Sequence, residues 1–568
     1  MSSTADAQTS VNWQSLLWLV IGLALVVRLW GVHYGLPFSY WADEYHEVMR
    51  AMQLGAGSFN LARSTKGGFY LLLFFEYGIY FVILKLTGIV ANAREFAELF
   101  ARDPTAFYLM GRITAAVFGC ITVAAVFWLS RRAYSTTAGL IAAFVLAINV
   151  LHIDLSHRIG VDVPMAMLAT VALCFGLRIA TDGRRRDYIL AALFAGLAMA
   201  TKLPGILLLL PLLIAHTYAV LQRNGGIRGW FGSRDLWLAV GALAAVLLTT
   251  NPGIVFYTGY FSHVPLSPEE MDEAAEFDSL ADLDLVGRPN LYVFYLNVLP
   301  DSMGWPLFAV SLAGLAYALW KRTPPDVMLI SYALINYLVI SSTPSETLYY
   351  PRYALPIIVV LAAFAGRVLA DLIQALPRWR FAASVAVLAV IAAWPAFEAA
   401  TANYALTQTD TRTLAKDWFE ANVPAGARVL IEGGKIASKR ETVQLRDSRA
   451  SLERRIAYWR NVEPRQARFL EFKLAAYEGG GYDLELIRPN SIATLDKYAA
   501  DQVEYFVVRP DYYMGSRKAD ASGPRLLEEL RTDSRVELIR RFEPESRTRP
   551  GPVVEIYRLK SSREPLSD

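Results

Sequence analysis

The sequence predicts an α-helical polytopic membrane protein of about 11–13 spans with a soluble α/β domain at its C-terminal end. Three observations carry this. Of the 568 residues, 54% are hydrophobic. The mean hydropathy is +0.31, so the chain is more apolar than a soluble protein of this size. Apolar segments recur as far as residue 399, and past Asn403 the composition turns charged with no further span-length run.

The apolar segments fall near 13–30, 69–90, 109–130, 136–151, 163–180, 188–201, 204–221, 236–254, 304–320, 327–342, 354–375 and 381–399. Several are short for a span, as helices bordering a cavity often are. Residues 1–402 therefore read as the membrane domain and 403–568 as the soluble one. In the latter, Arg428–Ile431, Val503–Val508 and Val553–Tyr557 are short β-branched patches between helical stretches, the pattern of a small α/β fold. No internal repeat is visible. The segment Met1–Ser10 lacks a basic n-region, so the first apolar segment is expected to remain as an anchor.

A formal net charge of +3 gives no reason to expect nucleic acid as a partner. The two cysteines, Cys120 and Cys174, both lie inside apolar runs, which leaves no disulfide framework and no cysteine metal site. His46, His152, His157 and Asp154 follow no metal-ligand spacing rule, and neither a metal nor a cofactor is expected.

Orientation follows from the basic clusters at Arg131-Arg132, Arg184–Arg186, Arg223–Arg234, Lys321-Arg322 and Arg378–Arg380, which the positive-inside rule places in the cytoplasm. Loops 152–162, 202–204, 255–303 and 343–353 and the C-terminal domain then face outward. Asp43 shares that side only if segment 69–90 is juxtamembrane or re-entrant, which gives 11 spans; if 69–90 crosses, residues 290–300 become a candidate thirteenth segment. The outward set holds Asp43, Glu44, Lys66, Arg158, Asp162, Lys202 and Arg352.

Carboxylates just outside a span are costly unless they sit in water or do chemistry. A carboxylate there can serve as general base to an acceptor hydroxyl, and cations can hold a phosphate and neutralise charge as it departs. Lys66 precedes Gly67-Gly68, where the backbone can approach a ligand closely. Lys202 lies between two apolar segments, and Arg352 sits among Tyr349, Tyr350 and Tyr353. Plainer roles compete: snorkelling for Lys202 and Arg352, N-capping for Asp43 and Asp162, and interfacial anchoring for the tyrosines.

Five short stretches in order give the chain a family resemblance. They are Asp43-Glu44 after the first span; Lys66 before an aromatic apolar segment; Arg-x-x-x-Asp-x-Pro at Arg158–Pro164; Gly-Leu-Ala-x-x-Thr-Lys-x-Pro at Gly196–Pro204; and Arg-Tyr-x-x-Pro at Arg352–Pro356. Over roughly 13–400 the chain resembles the GT-C superfamily of membrane glycosyltransferases. It is most similar to the branch of dolichyl-phosphate-mannose-protein mannosyltransferases and aminoarabinose transferases of lipid A. Family members often carry Pro-Pro where this chain has Gly67-Gly68, and position 46 is His.

The resemblance implies an inverting glycosyltransferase. It would move a monosaccharide from a polyprenyl-phosphate donor to a hydroxyl of a lipid, glycan or protein acceptor, on the outer face of the inner (plasma) membrane and among membrane lipids. It implies Asp43 as general base, with Glu44 and Asp162 in the catalytic set. Lys66, Arg158, Lys202 and Arg352 would hold the donor phosphate, and His46, Tyr350 and Tyr353 would face the sugar or acceptor. The alternative class is a polytopic lipid or sugar transporter or flippase, which also places charges among spans; a non-catalytic scaffold is a further one. Residues 403–568 are expected to contact the acceptor.

Overall fold

The computed structural model describes residues 12–55, 67–250, 290–342, 349–375, 380–432, 442–462, 464–487, 492–511 and 522–560. Helix α1 (Trp13–Leu29) leads to α2 (Ala42–Gly55), α3 (Gly67–Leu86) and α4 (Ala93–Arg102). A bundle follows: α5 (Thr105–Ala133), α6 (Thr136–Ala147), α7 (Val150–Ser156), α8 (Asp162–Asp182), α9 (Arg185–Thr201), α10 (Leu209–Gln222), α11 (Ile227–Phe231) and α12 (Arg234–Thr250). It continues with α13 (Leu291–Met303), α14 (Trp305–Lys321), α15 (Pro324–Ser342), α16 (Leu355–Ala375) and α17 (Arg380–Ala405).

Among the described residues, eight helices are long and apolar enough to cross a bilayer, or up to ten if each of two bent pairs forms one span. The pairs are α6 with α7, bent by 62°, and α13 with α14, bent by 115°. Helix α3 passes the length test, yet it packs at one end of the bundle. The Phe69 and Phe118 rings meet at a tilt with centres 5.9 Å apart, while the Tyr77 hydroxyl donates to the Phe107 carbonyl at 3.1 Å, level with the first turn of α5. That placement is compatible with a juxtamembrane helix. With α3 set aside and α1 and both bent pairs included, ten candidate crossings are present among the described residues.

The centre of the bundle is α16, whose residues Leu355–Ala365 are all buried. Small residues let its neighbours in: a Cβ on Gly366 would clash with the Ala138 carbonyl, and one on Gly314 would clash with the Phe364 carbonyl. Lipid tails are as apolar as leucine, so such close backbone packing, not water exclusion, holds membrane helices together. Arg28, fully buried in the last turn of α1, donates to the carbonyls of Leu146 (3.2 Å) and Ala147 (3.1 Å) and lies 2.7 Å from His152 Nδ1. These are the last carbonyls of α6, which have no partner within that helix, so Arg28 caps the break between α6 and α7.

The arginine clusters gather at the other end. Arg131 lies over the Trp13 ring at 4.3 Å, and Arg132 pairs with Asp182 at 2.5 Å. Arg185 pairs with Asp235 at 2.9 Å, and Arg223 donates to the Gly183 carbonyl at 2.5 Å. The two ends of the bundle thus differ in kind, as the loop charges predict.

Helix α17 runs three residues past the expected boundary at 402, and the C-terminal domain begins with α18 (Thr411–Asn422). Its five strands are β1 (Arg428–Glu432), β2 (Asp483–Ile487), β3 (Tyr505–Val508), β4 (Val536–Phe542) and β5 (Val554–Leu559), ordered β2-β1-β3-β5-β4. β1 pairs parallel with β2 and β3, and β5 pairs antiparallel with β3 and β4. Side chains alternate across the sheet. Val429 and Ile431 face Ala415 and Phe419 of α18, while Leu430 and Phe506 face Leu526, Leu527 and Leu530 of α22 (Ser522–Thr532). Between β1 and β2 stand α19 (Arg449–Val462) and α20 (Pro464–Ala475), and α21 (Leu495–Ala500) precedes β3.

Candidate active site

The loop from Trp30 to Trp41 and the first turn of α2 bring the acidic pair to the end of the bundle away from the arginine clusters. Consecutive helix positions point about 100° apart, so the two carboxylates meet different surroundings. Glu44 is fully buried. It accepts two bonds from Arg112, Nε to Oε1 and Nη2 to Oε2, both at 2.8 Å. It also accepts from the Ile159 backbone N–H at 3.0 Å and the Ser39 hydroxyl at 3.0 Å. Arg112 in turn donates to the carbonyls of Val32 (2.9 Å) and Tyr34 (2.7 Å) and lies over the Trp41 ring at 4.6 Å. One ion pair therefore ties α2, α5, the loop from Trp30 to Trp41 and the 157–162 loop together.

Asp43 is the exposed member, with 55% of its side chain open to solvent, and it forms an ion pair with Arg352. A short 3₁₀ turn, Pro351–Ala354, presents Arg352 from the far side of the site. The guanidinium lies 4.7 Å from the Tyr350 ring centre and 5.7 Å from that of Tyr353. Tyr353 also receives the Lys202 ammonium over its ring at 4.2 Å. Lys202 is buried and pairs with buried Asp162 at 2.5 Å. Asp162 opens α8 and Lys202 ends α9, helices that pack against each other along their length. Asp43, Arg352, Tyr353, Lys202 and Asp162 thus form one alternating string of charge around a tyrosine.

Arg158 is directed elsewhere: it pairs with Asp154 at 2.5 Å and lies over the other side chain partner it shares with Arg112, the Trp41 ring, at 5.0 Å. The cation that holds Glu44 is Arg112. His46 contacts Tyr45 edge-on at 6.3 Å, and Tyr350 is half exposed. Lys66 lies outside the described residues. His157 places its ring nitrogens 2.9 Å from the Ile153 carbonyl and 3.0 Å from that of Trp30, so it fastens α7 to the loop after α1. Among the described residues no group of three or more His, Cys, Asp or Glu is arranged to hold a metal ion.

Two features were not read from the sequence. Arg112 stood near the start of the 109–130 segment, and an arginine set in an apolar helix is itself a signal. The second is the junction with the C-terminal domain. The Tyr34 hydroxyl donates to Asp410, Arg412 grips the same carboxylate at 2.9 Å through both Nε and Nη2, and Arg412 lies over the Tyr40 ring at 3.8 Å. Asp410 also caps α18. The loop that leads into Asp43 is therefore held from one side by Arg112 and from the other by the soluble domain.

Residues 96–252 match the model of the dolichyl-phosphate-mannose-protein mannosyltransferase family. No curated protein matches the chain. Among solved structures, the apo form of ArnT from Cupriavidus metallidurans aligns with 96% of this chain and 98% of its own, at 15% identity and a TM-score of 0.50. The same protein bound to undecaprenyl phosphate aligns over the same shares at 14% identity and a TM-score of 0.48. The apo oligosaccharyltransferase of Archaeoglobus fulgidus aligns with 91% of this chain and 72% of its own, at 14% identity and a TM-score of 0.49. At such identities the likeness is one of fold. The chain is a polytopic membrane protein built on the GT-C glycosyltransferase fold, and its residues 96–252 are similar to the dolichyl-phosphate-mannose-protein mannosyltransferase family.

Proposed function

We propose that this chain transfers a monosaccharide, with inversion, from a polyprenyl-phosphate donor to an acceptor hydroxyl at the outer face of the inner membrane. The observation that carries the reading is the exposed Asp43 carboxylate paired with Arg352, beside the buried Lys202–Asp162 pair. The family match over 96–252, which contains Arg158, Asp162 and Lys202, supports the donor class.

Asp43 acts as general base, removing the acceptor proton as the hydroxyl oxygen attacks the anomeric carbon. The bond from that carbon to the phosphate oxygen breaks, and the phosphate leaves with the electron pair. Arg352 moves between two partners. A half-exposed ion pair is worth only about 0–1 kcal/mol, and a phosphate accepts charge-assisted bonds from a guanidinium in bidentate fashion. Donor phosphate therefore draws Arg352 from Asp43 and frees the base when substrate is present. Lys202, fixed between Asp162 and Tyr353, supplies a standing positive charge against the leaving phosphate. Asp162 positions that lysine, Glu44 positions the turn carrying Asp43, and Tyr350, Tyr353 and His46 border the sugar. Lys66 completes the phosphate ligands, and Arg158 stands behind Trp41.

The test is transfer from a panel of radiolabelled polyprenyl-phosphate monosaccharides to membrane extract by wild type and Asp43→Asn. Label on an acceptor with wild type and none with the folded variant supports the reading. Transfer undiminished in Asp43→Asn removes the general base, and transport of polyprenyl phosphate without sugar transfer favours the transporter class.

A further inference from the structure

The loop from Trp30 to Trp41 and the start of the C-terminal domain share a buried polar cluster that the chemistry proposed above does not use. Tyr34, Tyr40, Asp410 and Arg412 are all buried. The Tyr34 hydroxyl donates to Asp410 and accepts from Arg412 Nη2 at 3.4 Å. Arg412 lies over the Tyr40 ring at 3.8 Å, and the Tyr40 hydroxyl is 2.7 Å from Thr413 Oγ1. The start of the loop is held as well: Gly31 has a φ of +90°, and a Cβ there would meet Leu406 Cβ at 2.7 Å, just past the end of α17. On the domain side, Thr411 donates to the Pro550 carbonyl at 2.9 Å through its N–H and to the Pro552 carbonyl at 2.7 Å through its hydroxyl. A Cβ on Gly551 would clash with the Thr411 and Asp410 side chains. The connection from β4 to β5 therefore closes over Asp410, and three stretches of chain meet at one carboxylate.

The path from this cluster to Asp43 is short. Tyr40 stands three residues before Asp43 and Trp41 two. The Tyr34 ring packs against Trp41 with centres 5.3 Å apart, and the Trp41 ring also carries Arg112 at 4.6 Å and Arg158 at 5.0 Å. Rings packed this closely cannot shift without opening a void. Arg112 holds the loop by its backbone, at the Val32 and Tyr34 carbonyls. Arg412 holds it by its side chains, at Tyr34 and Tyr40. We propose that Arg412 is a positioning residue for Asp43, and that the C-terminal domain acts through it to set the carboxylate where an acceptor hydroxyl must arrive. The inference deepens the glycosyltransferase reading and rests on it for the chemistry of Asp43; the mechanical coupling does not. It gives residues 403–568 a role apart from any contact with the acceptor. Only an arginine serves here, because its planar fork makes the paired Nε and Nη2 bonds to Asp410 while its face lies on Tyr40.

The test uses full-length protein in lipid nanodiscs and two readouts. One is hydrogen–deuterium exchange over residues 30–47, read by mass spectrometry. The other is steady-state transfer to membrane extract from the radiolabelled polyprenyl-phosphate monosaccharide that wild type turns over, with the stoichiometry of undecaprenyl phosphate binding as the count of folded sites. Arg412→Met is expected to speed exchange over 30–47 and to lower kcat by about a hundredfold, the usual cost of a misplacement of about 1 Å. The donor KM and the binding stoichiometry stay at their wild-type values, and Arg412→Lys recovers part of kcat. Tyr34→Phe removes a single hydroxyl and moves both readouts the same way by about tenfold, the worth of one hydrogen bond to a charged group; it decides the matter if Arg412→Met does not fold. Faster exchange without loss of kcat, loss of kcat without faster exchange, or no change in either overturns the proposal. So does a raised KM for membrane extract at unchanged kcat, which would mark the domain as an acceptor contact. If wild type turns over no donor of the panel, the glycosyltransferase reading fails and exchange alone decides the coupling: faster in Tyr34→Phe upholds it, and unchanged removes it.

Discussion

Replacing Arg112 by methionine isolates the role of the buried ion pair. The change removes two 2.8 Å bonds to Glu44 and the bonds to the Val32 and Tyr34 carbonyls. Glu44 keeps only the Ile159 N–H and the Ser39 hydroxyl at 3.0 Å each. Breaking one side of a buried pair typically costs about 3–5 kcal/mol, because a desolvated charge is left behind. At about 1.4 kcal/mol per tenfold, that is two to four powers of ten in the population of the ordered loop. The Asp43–Arg352 pair, half exposed, is far too weak to hold the turn in place alone. Displacing a catalytic group by about 1 Å can cost about a hundredfold in rate. Arg112→Met is therefore expected to lower the melting temperature in detergent and to reduce turnover at least a hundredfold, while donor binding through Lys202 and Arg352 persists. The double variant Glu44→Gln/Arg112→Met should recover part of the lost stability, since no buried charge then remains. An Arg112→Met protein with wild-type melting and wild-type turnover would refute the reasoning that this pair positions Asp43.

Four further outcomes follow from the same geometry. Asp43→Asn should lose about 10²–10⁴-fold in transfer rate with its melting temperature unchanged, because the side chain is half exposed; a large fall in melting temperature would mark Asp43 as structural. Lys202→Met should abolish donor turnover and destabilise the protein by leaving Asp162 buried without its 2.5 Å partner, with Lys202→Met/Asp162→Asn recovering the fold but not the activity. Gly314→Ala should cost about 1–3 kcal/mol, since the new methyl clashes with the Phe364 carbonyl; melting curves decide it. Burial first, then the Asp410 carboxylate, push the Tyr34 phenol above its ordinary value of 10.0. A raised folded value means the stabilisation is complete below about pH 10 and is lost as pH climbs towards the folded value. Wild type should lose stability above pH 10 by more than Tyr34→Phe does, and equal losses would disprove the contribution.

What was legible in the sequence was whatever depends on local pattern. Span-length apolar runs gave the helices, and the arginine clusters gather at one end of the bundle, where Arg132 meets Asp182 and Arg223 meets the Gly183 carbonyl. The charged residues between spans gave Asp43, Asp162, Lys202 and Arg352, which the fold brings to one place. Pairing was not legible, because it depends on which helices become neighbours. Arg158 was expected among the donor-phosphate ligands, and the partner it has in the fold is Asp154, one helical turn away at 2.5 Å. Arg112 instead reaches Glu44 across 68 residues of sequence. The Tyr34–Asp410–Arg412 junction links positions 376 residues apart and leaves no local trace.

Arg28 carries a consequence for how the protein is made. Its guanidinium bonds the carbonyls of Leu146 and Ala147, 118 and 119 residues further along the chain. At about 5–20 residues per second of synthesis, those carbonyls follow it by about 6–24 s. During that interval the Arg28 guanidinium has the Ala24 carbonyl of its own helix at 3.0 Å, and water and headgroups must serve the rest of its donors, which favours a helix seated towards the surface. Its final depth is set only when the sixth helix emerges. Assembly thus has a compulsory order written into one side chain, and an Arg28→Leu chain, free of that wait, would seat its first helix early and leave the broken span uncapped.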